Sequence, residues 1–382
     1  MEHTDQTLDA FLEKLKEHSS GSSGMSPNQK LDSDLFRYSA APGISGREAA
    51  PACLVRGQVE ELGYTLTEDP LGNLCYHKGE PDPLRPRLMI SAHLDEVGLM
   101  ATYLEEDGMV RFTCVGGIDA RVLPGRAVYL PRSHCYGVIG VKPIHLVDSA
   151  QRGKAVSVED LVLDLGADSK EETQTLVQPG DQIVFDCRGW TEQGSLVRGK
   201  ALDDRAGCVI LMQLMEQLND SNITFCFLTQ EEVGCRGAKA AAERIRPDYS
   251  IVLEATTAAD LPEVPEQKQV CQLGKGAVVG FMDRSTIYSR NLYQTAFELA
   301  QRQNIPIQTK TMVAGGNDAG AIHTAAGGIQ TLAISVPCRY LHSPSCVIDP
   351  KDAYAVRDLA KVLAKEMVSG RLSREWDGQE IF

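Results

Sequence analysis

The chain has 382 residues, 43% of them hydrophobic, enough to bury a large core and to divide into two lobes. Its formal charge of −14 argues against nucleic acid or an anionic membrane surface as partner, since both select basic patches. No apolar run approaches the roughly 18 residues of a membrane span, the acidic start lacks a signal peptide's basic and hydrophobic regions, and the 11 cysteines form no CxxC pair, so free thiols in the cytoplasm are expected.

Residues 1–24 read as an appended helix and Gly/Ser linker. Leu8, Phe11, Leu12 and Leu15 mark one helical face, and the segment is either an added tag or a partner-binding helix. The pattern over 31–63 is helical, with Ser45 a candidate N-cap after the Pro42-Gly43 turn. An apolar strand over 87–92 then delivers His93-Leu94-Asp95-Glu96-Val97-Gly98. A histidine just past a strand end suits a metal, and Asp95 can hold the imidazole's other N–H and fix its tautomer. Taken alone, such a histidine is more often structural.

Between 98 and 197 the texture changes. Short β-like runs at 110–113, 127–129, 136–141 and 182–185 alternate with Gly and Pro turns, without the helices that flank a parallel sheet. This predicts a β-rich lobe inserted into an α/β domain. The α/β pattern resumes at Gly199-Lys200-Ala201-Leu202-Asp203-Asp204-Arg205, followed by a helix apolar at Val209, Ile210, Met212, Leu214 and Leu218. Either aspartate could simply cap that helix. As metal chemistry, one carboxylate can bridge two cations about 3.5 to 4 Å apart, and Asp203 is the choice for the bridge, with Asp204 and Arg205 in support.

A β-branched and aromatic run at 223–229 leads to Glu231-Glu232, and Gly237-Ala238 opens the next helix. Neighbouring residues at a strand's end project in different directions, so one glutamate can enter a metal's shell while the other handles protons. A bare Glu-Glu pair is more often solvated surface. A strand at 248–253 ends in Glu254 before a loop at 255–265, and one at 331–336 leads to His342. His93, Glu231, Glu232, Glu254 and His342 thus follow strand ends, where open α/β sheets assemble their sites. Two imidazoles and three carboxylates, with Asp203 shared, give each of two divalent cations three protein ligands. The net charge left over favours ionising a water, and Glu231 outside the shell can take its proton.

Five motifs occur in order: His93-Leu-Asp-Glu-Val-Gly, Ala201-Leu-Asp-Asp-Arg-Ala-Gly, Glu231-Glu-Val-Gly-Cys-Arg-Gly-Ala, Gly316-Asn-Asp-Ala-Gly-Ala-Ile-His and Arg339-Tyr-Leu-His-Ser-Pro. With them, the chain from about 31 to 368 resembles the tetrahedral aminopeptidases, which include glutamyl and leucyl aminopeptidases. The resemblance implies an α/β catalytic domain with a mixed central sheet flanked by helices (25–97 and 198–382), and an inserted β-barrel-like oligomerisation domain (98–197). It further implies dimers that build a tetrahedral dodecamer, and release of the N-terminal residue from peptides with a free N-terminus. By the same resemblance His93 and Glu254 hold one metal ion, Glu232 and His342 the other, with Asp203 between them. Glu231 is then the general base and Asp95 orients His93. Zinc or cobalt are the expected ions, with manganese a competitor. Two departures stand out: Glu254 where the family usually has aspartate, and Asn317 where it commonly has threonine.

Other readings remain open on the residues. A glycosidase would leave the histidines without a task. A metal-dependent carboxypeptidase or N-acyl amino acid deacylase, or a catalytically silent assembly protein, uses the same inventory. No residue marks a specificity pocket, so acidic, basic and aliphatic N-terminal residues are all admitted.

Overall fold

The computed structural model describes residues 25–149, 152–187, 192–193 and 196–372. The helix expected within 1–24 lies outside the described residues. The helical stretch expected at 31–63 is two helices, α1 (Pro27–Ala40) and α2 (Ala49–Val59). Ser26 starts α1 through a capping box with Gln29, just ahead of Pro27. Ser45 is not the cap of α2. Glu48 takes that position without a side-chain cap bond, while the Ser45 hydroxyl donates to Asp95 Oδ2 at 2.6 Å.

Strands β1 (Thr65–Glu68), β2 (Leu74–His77) and β3 (Leu88–His93) follow, the last buried along its whole length. The chain then enters β4 (Gly98–Leu104), β5 (Val110–Val115), β6 (Ala127–Leu130), β7 (Cys135–Gly140) and β8 (Val162–Asp164). After helix α3 (Lys170–Leu176) comes β9 (Gln182–Phe185), and the six strands close into a barrel in the order β4-β5-β8-β7-β6-β9. Alternate side chains turn inward, so Leu99, Val110, Val128, Ile139, Leu163 and Ile183 make a core of their own. Helix α3 was not expected here. Thr173 is its only buried residue, so it carries no apolar stripe; Ser169 at its cap and two glutamates in its first turn are its signals.

The return path runs through β10 (Glu192–Gln193), β11 (Leu196–Gly199), α4 (Leu202–Gln217), β12 (Ile223–Leu228), α5 (Arg236–Ile245) and β13 (Tyr249–Thr257). It finishes with β14 (Ala277–Val279), α6 (Arg290–Gln303), β15 (Ile307–Thr309), α7 (Asp318–Ile322), β16 (Gln330–Cys338), β17 (Cys346–Ile348) and α8 (Pro350–Val368). Eight strands form one mixed sheet ordered β1-β2-β12-β3-β13-β16-β14-β15, whose centre β12-β3-β13-β16 is parallel. Helix α4 packs on β3 and β13 and is covered by α1 and α8, so it is buried on every side from Leu202 to Met215. Among the described residues no helix is long and apolar enough to cross a membrane.

Register decides what meets above this parallel centre. Leu228 pairs with His93, so Glu231 and Glu232 follow beside the histidine's strand end. The β13 pairing with β3 stops at Val252↔Ser91, whereas its pairing with β16 continues to Thr257↔Cys338. Glu254 therefore lies inside a strand rather than after one, and His93 is the last residue of its strand. His93 stays in its strand through the pairing with β12, and Glu254 in its own because β13 and β16 support each other beyond the edge of β3.

Asn73 ties the end of β12 to the start of α5: its Oδ1 accepts from Thr229 N at 2.9 Å and its Nδ2 donates to Gly237 O at 3.0 Å. A Cβ on Gly237 would lie 2.3 Å from Thr229 O and 2.4 Å from Asn73 Oδ1. In an ordinary helix Gly→Ala gains up to about 1 kcal/mol. Here Gly237→Ala is expected to lose about 1–3 kcal/mol by forcing the backbone apart, read as a lower urea midpoint. A midpoint that rises would show the close approach to be inconsequential.

Candidate metal and active site

Each of the two histidines is oriented by a carbonyl. His93 Nδ1 donates to Asp95 O at 3.0 Å, and His342 Nδ1 donates to Gly117 O at 2.9 Å. A carbonyl can only accept, so both neutral rings carry their proton on Nδ1 and present a bare Nε2. These two nitrogens face Asp203 from opposite sides: His93 Nε2 is 3.3 Å from Oδ1 and His342 Nε2 is 3.3 Å from Oδ2. Glu254 Oε1 stands 3.5 Å from His93 Nε2, and Glu232 Oε2 stands 3.3 Å from His342 Nε2. The ligand atoms of His93, Asp203 and Glu254 lie within 4.8 Å of one another, as do those of Asp203, Glu232 and His342.

Local backbone geometry aims these groups. Ala201 takes a left-handed conformation at φ 52°, and Asp203 and Asp204, joined by a cis peptide, depart from helical angles before α4 proper begins. Gln230 (φ 58°), Cys235 (φ 53°), Tyr340 (φ 60°) and His342 (φ 56°) also lie in the left-handed region. Such angles are disfavoured for residues with a Cβ and persist where surrounding contacts impose them.

Asp95 serves mainly the glutamate turn. Its Oδ1 accepts from Glu231 N at 3.0 Å and its Oδ2 from Glu232 N at 3.1 Å and the Ser45 hydroxyl at 2.6 Å. Its carboxylate is 3.5 Å from His93 Nδ1, farther than its own carbonyl. Asp204 accepts from His93 N and Gly207 N, holding the histidine's backbone. Fully buried Arg205 donates to the carbonyls of Leu94, Tyr38 and Ala41, pinning the segment between His93 and α1. Beneath it Lys200 and Glu96 form a buried pair at 2.6 Å, with Glu96 Oε1 also accepting from Gly43 N. The sequence offers no period or spacing that marks Ser45, Glu96 or Lys200 as supports, because their partners are up to 161 positions away.

The electrostatics have two origins, burial and the Asp203 carboxylate. Burial alone would hold both imidazoles down, yet the Asp203 carboxylate drives His93 well above the usual histidine range and His342 up to about 10. Burial pushes Glu232 and Glu254 well up, with Asp203 adding to both. Glu232 Oε1 and Glu254 Oε2 are buried without any hydrogen-bond partner. Glu231 is pushed up chiefly by burial; its Oε1 accepts from the Cys235 thiol at 3.5 Å. Without a cation these upward shifts place protons between the facing nitrogens and oxygens, the positions a divalent cation would take. Two imidazole nitrogens, a two-sided carboxylate and two flanking glutamates with orphaned oxygens fit divalent cations of the nitrogen- and oxygen-loving kind.

A cavity of about 300 Å³ opens on this centre, walled by Asp203, Glu231, Glu254, Asn317, His342 and Lys310 among others. Asn317 caps α7 through its Oδ1 and donates to the Tyr288 hydroxyl at 3.2 Å. Asp318, buried behind Glu231, has an Oδ1 with no partner and groups with Glu231 and Cys235.

The M42 glutamyl aminopeptidase family profile matches residues 72–359. The lysyl aminopeptidase of Pyrococcus furiosus is 30% identical over 336 residues, covering 86% of this chain and 94% of the relative. Among solved structures, an aminopeptidase from the archaeon Desulfurococcus kamchatkensis superposes with a TM-score of 0.84 at 31% identity, covering 91% of this chain and 99% of its own. The TET1 peptidase of Pyrococcus horikoshii, which can assemble into a tetrahedron or a large octahedral shell, gives 0.77 at 34% identity, covering 87% and 99%.

Lys200→Met leaves the buried Glu96 carboxylate with Arg205 at 3.8 Å as its remaining ion-pair partner and is expected to cost about 3 kcal/mol. Adding Glu96→Leu removes the under-paired charge and should return part of that loss, measured by chemical denaturation of both variants. Equal stability of the single variant and the parent would mean the pair does not hold the segment.

Proposed function

Because the chain belongs to the M42 glutamyl aminopeptidase family and is an aminopeptidase, we propose that it removes N-terminal residues from peptides with two divalent cations. His93 and Glu254 hold one, Glu232 and His342 the other, and Asp203 is shared. The observation that carries this reading is the pair of bare imidazole nitrogens at 3.3 Å from the two oxygens of one carboxylate. The same donor set admits zinc, cobalt or manganese, with zinc and cobalt favoured.

What such cations supply when bound is Lewis acidity toward the scissile carbonyl and toward a water. The cations would also anchor the free α-amine, and the cavity walled by Thr256, Thr257 and Asn317 beside them receives the N-terminal residue. The protein's own groups do the rest. Glu231 accepts a proton from the attacking water and returns it to the leaving amine; its burial lifts its proton affinity toward that of a useful base. Asp95, bonded to the backbone N–H of both glutamates, keeps Glu231 turned to the cavity while Glu232 faces His342.

The catalytic unit comprises 25–97 and 198–382, and the inserted unit 98–197 serves oligomerisation, with dimers assembling to a tetrahedral dodecamer. Exposed apolar side chains on β7 and in the β7–β8 connection of the barrel, Tyr136, Val138, Ile144 and Leu146, support this, as does the assembly of the Pyrococcus horikoshii peptidase. No disulfide joins any of the eleven cysteines, in keeping with a cytoplasmic setting.

Aminoacyl chromogenic amides and N-acetylated controls, offered to protein stripped of metal and reloaded with zinc, cobalt or manganese, test the reading. Free-amine substrates alone should be cleaved, and only after reloading. Glu231→Gln should keep both cations while losing about 10²–10⁴-fold in turnover. Asp203→Ala should lose cations as well, measured by metal analysis after dialysis. Normal turnover of Glu231→Gln, or two cations retained by Asp203→Ala, would overturn those assignments.

A further inference from the structure

The Glu231 carboxylate also belongs to a cluster that the two-cation scheme leaves aside. After Glu232 the backbone turns straight back, with Gly234 N and Cys235 N both donating to Glu231 O at 2.8 Å. That turn sets the Cys235 thiol against the glutamate's own side chain, Sγ to Oε1 at 3.5 Å. Asp318, at the start of α7, reaches the same place because α7 packs against α5. It is 1% exposed, and its Oδ1 has no hydrogen-bond partner. One ligand atom from each of Glu231, Cys235 and Asp318 lies within 4.8 Å of the others, and among the described residues this is the one such group that contains sulfur.

The separations suit a small tetrahedral cation. Bonds of about 2.3 Å to sulfur and about 2.1 Å to oxygen place those two atoms about 3.6 Å apart across a tetrahedral angle. Cys235 Sγ and Glu231 Oε1 already stand at 3.5 Å. A buried carboxylate oxygen without a donor is costly, and a cation relieves it as a proton does. Neither Cys235 nor Asp318 is needed for the two cations assigned to His93, Asp203, Glu232, Glu254 and His342. We propose that Glu231, Cys235 and Asp318 form a third, inhibitory site for a thiophilic divalent cation such as zinc or cadmium. On binding, a sulfur–metal bond forms and the thiol proton leaves to solvent. Glu231 then gives its lone pair to the metal and has none directed at the attacking water, so turnover stops while the other two cations stay in place. A hard cation such as manganese gains little from sulfur, so the site separates metals by softness. The inhibitory consequence rests on Glu231 as the base of the proposed aminopeptidase reaction; the binding does not.

For the test, the full chain is loaded with two equivalents of zinc and titrated with further zinc by calorimetry. A second titration uses cadmium and follows the ultraviolet absorption of thiolate-to-cadmium charge transfer. The parent should take up a third equivalent, show that absorption, and lose turnover of a free-amine chromogenic amide in step with the uptake. C235S keeps the size of the side chain and D318N its shape. Each should weaken the third equivalent by about tenfold or more, and C235S should abolish the absorption. Metal analysis should still find the first two cations in both variants, which shows them to be folded. Manganese added in place of the extra zinc should inhibit far less. A parent that stops at two cations without thiolate absorption, or folded C235S and D318N that bind the third as the parent does, overturns the site. A third cation bound without loss of turnover overturns its inhibitory role. If no free-amine substrate is cleaved with any cation, the aminopeptidase reading fails, and the calorimetry and the absorption still decide the site.

Discussion

Lone pairs facing one another across 3.3–3.5 Å are the constraint on which this structure depends. Two carbonyls consume the Nδ1 protons of His93 and His342, so what the rings turn toward Asp203, Glu232 and Glu254 is electron density against electron density. Such a cluster holds together only with positive charge at its middle, whether protons or metal ions. The upward drive on both imidazoles and on both flanking glutamates is the protonic version of that requirement. Buried, unpartnered oxygens on Glu232 and Glu254 express the same deficit.

Holding repelling groups together demands rigidity, and the fold supplies it by register. A parallel core four strands wide brings His93, the Glu231-Glu232 turn and Glu254 to one rim, and the longer β13–β16 ladder carries Glu254 past the end of β3. Arg205 and the Lys200–Glu96 pair tie the loops of that rim to α1 and to one another through main-chain carbonyls and amides. These are buried charges with several partners each, an arrangement that tolerates little displacement.

Much of this was legible before any coordinates. Apolar strands followed by His93, Glu231-Glu232 and His342 stand out because strand period and acid content change together, and the alternating short runs in 98–197 announce a β-rich lobe, whose closure into a barrel only the family resemblance implies. The alternative site readings were narrowed by the order of five motifs rather than by any one residue. Other features left no local trace. Ser45 looks like a helix cap because caps and long-range donors use the same hydroxyl; only folding reveals that it serves Asp95. Glu254 looked like a strand's last residue because a buried carboxylate breaks an apolar run, although pairing with β16 continues for three residues beyond it. Helix α3 has too little buried surface to show a period.

The carbonyl that orients His342 belongs to Gly117, which lies just beyond β5 of the barrel. The adjoining Gly116 lies equally close: a Cβ there would come within 3.3 Å of the Glu232 Cβ. One imidazole's tautomer is therefore set by the inserted barrel, and the others' positions by the sheet. A tilt of the barrel against the sheet would turn that ring and change the basicity of its free nitrogen. Whatever mechanically loads the barrel is coupled to the chemistry through the peptide unit of Gly117.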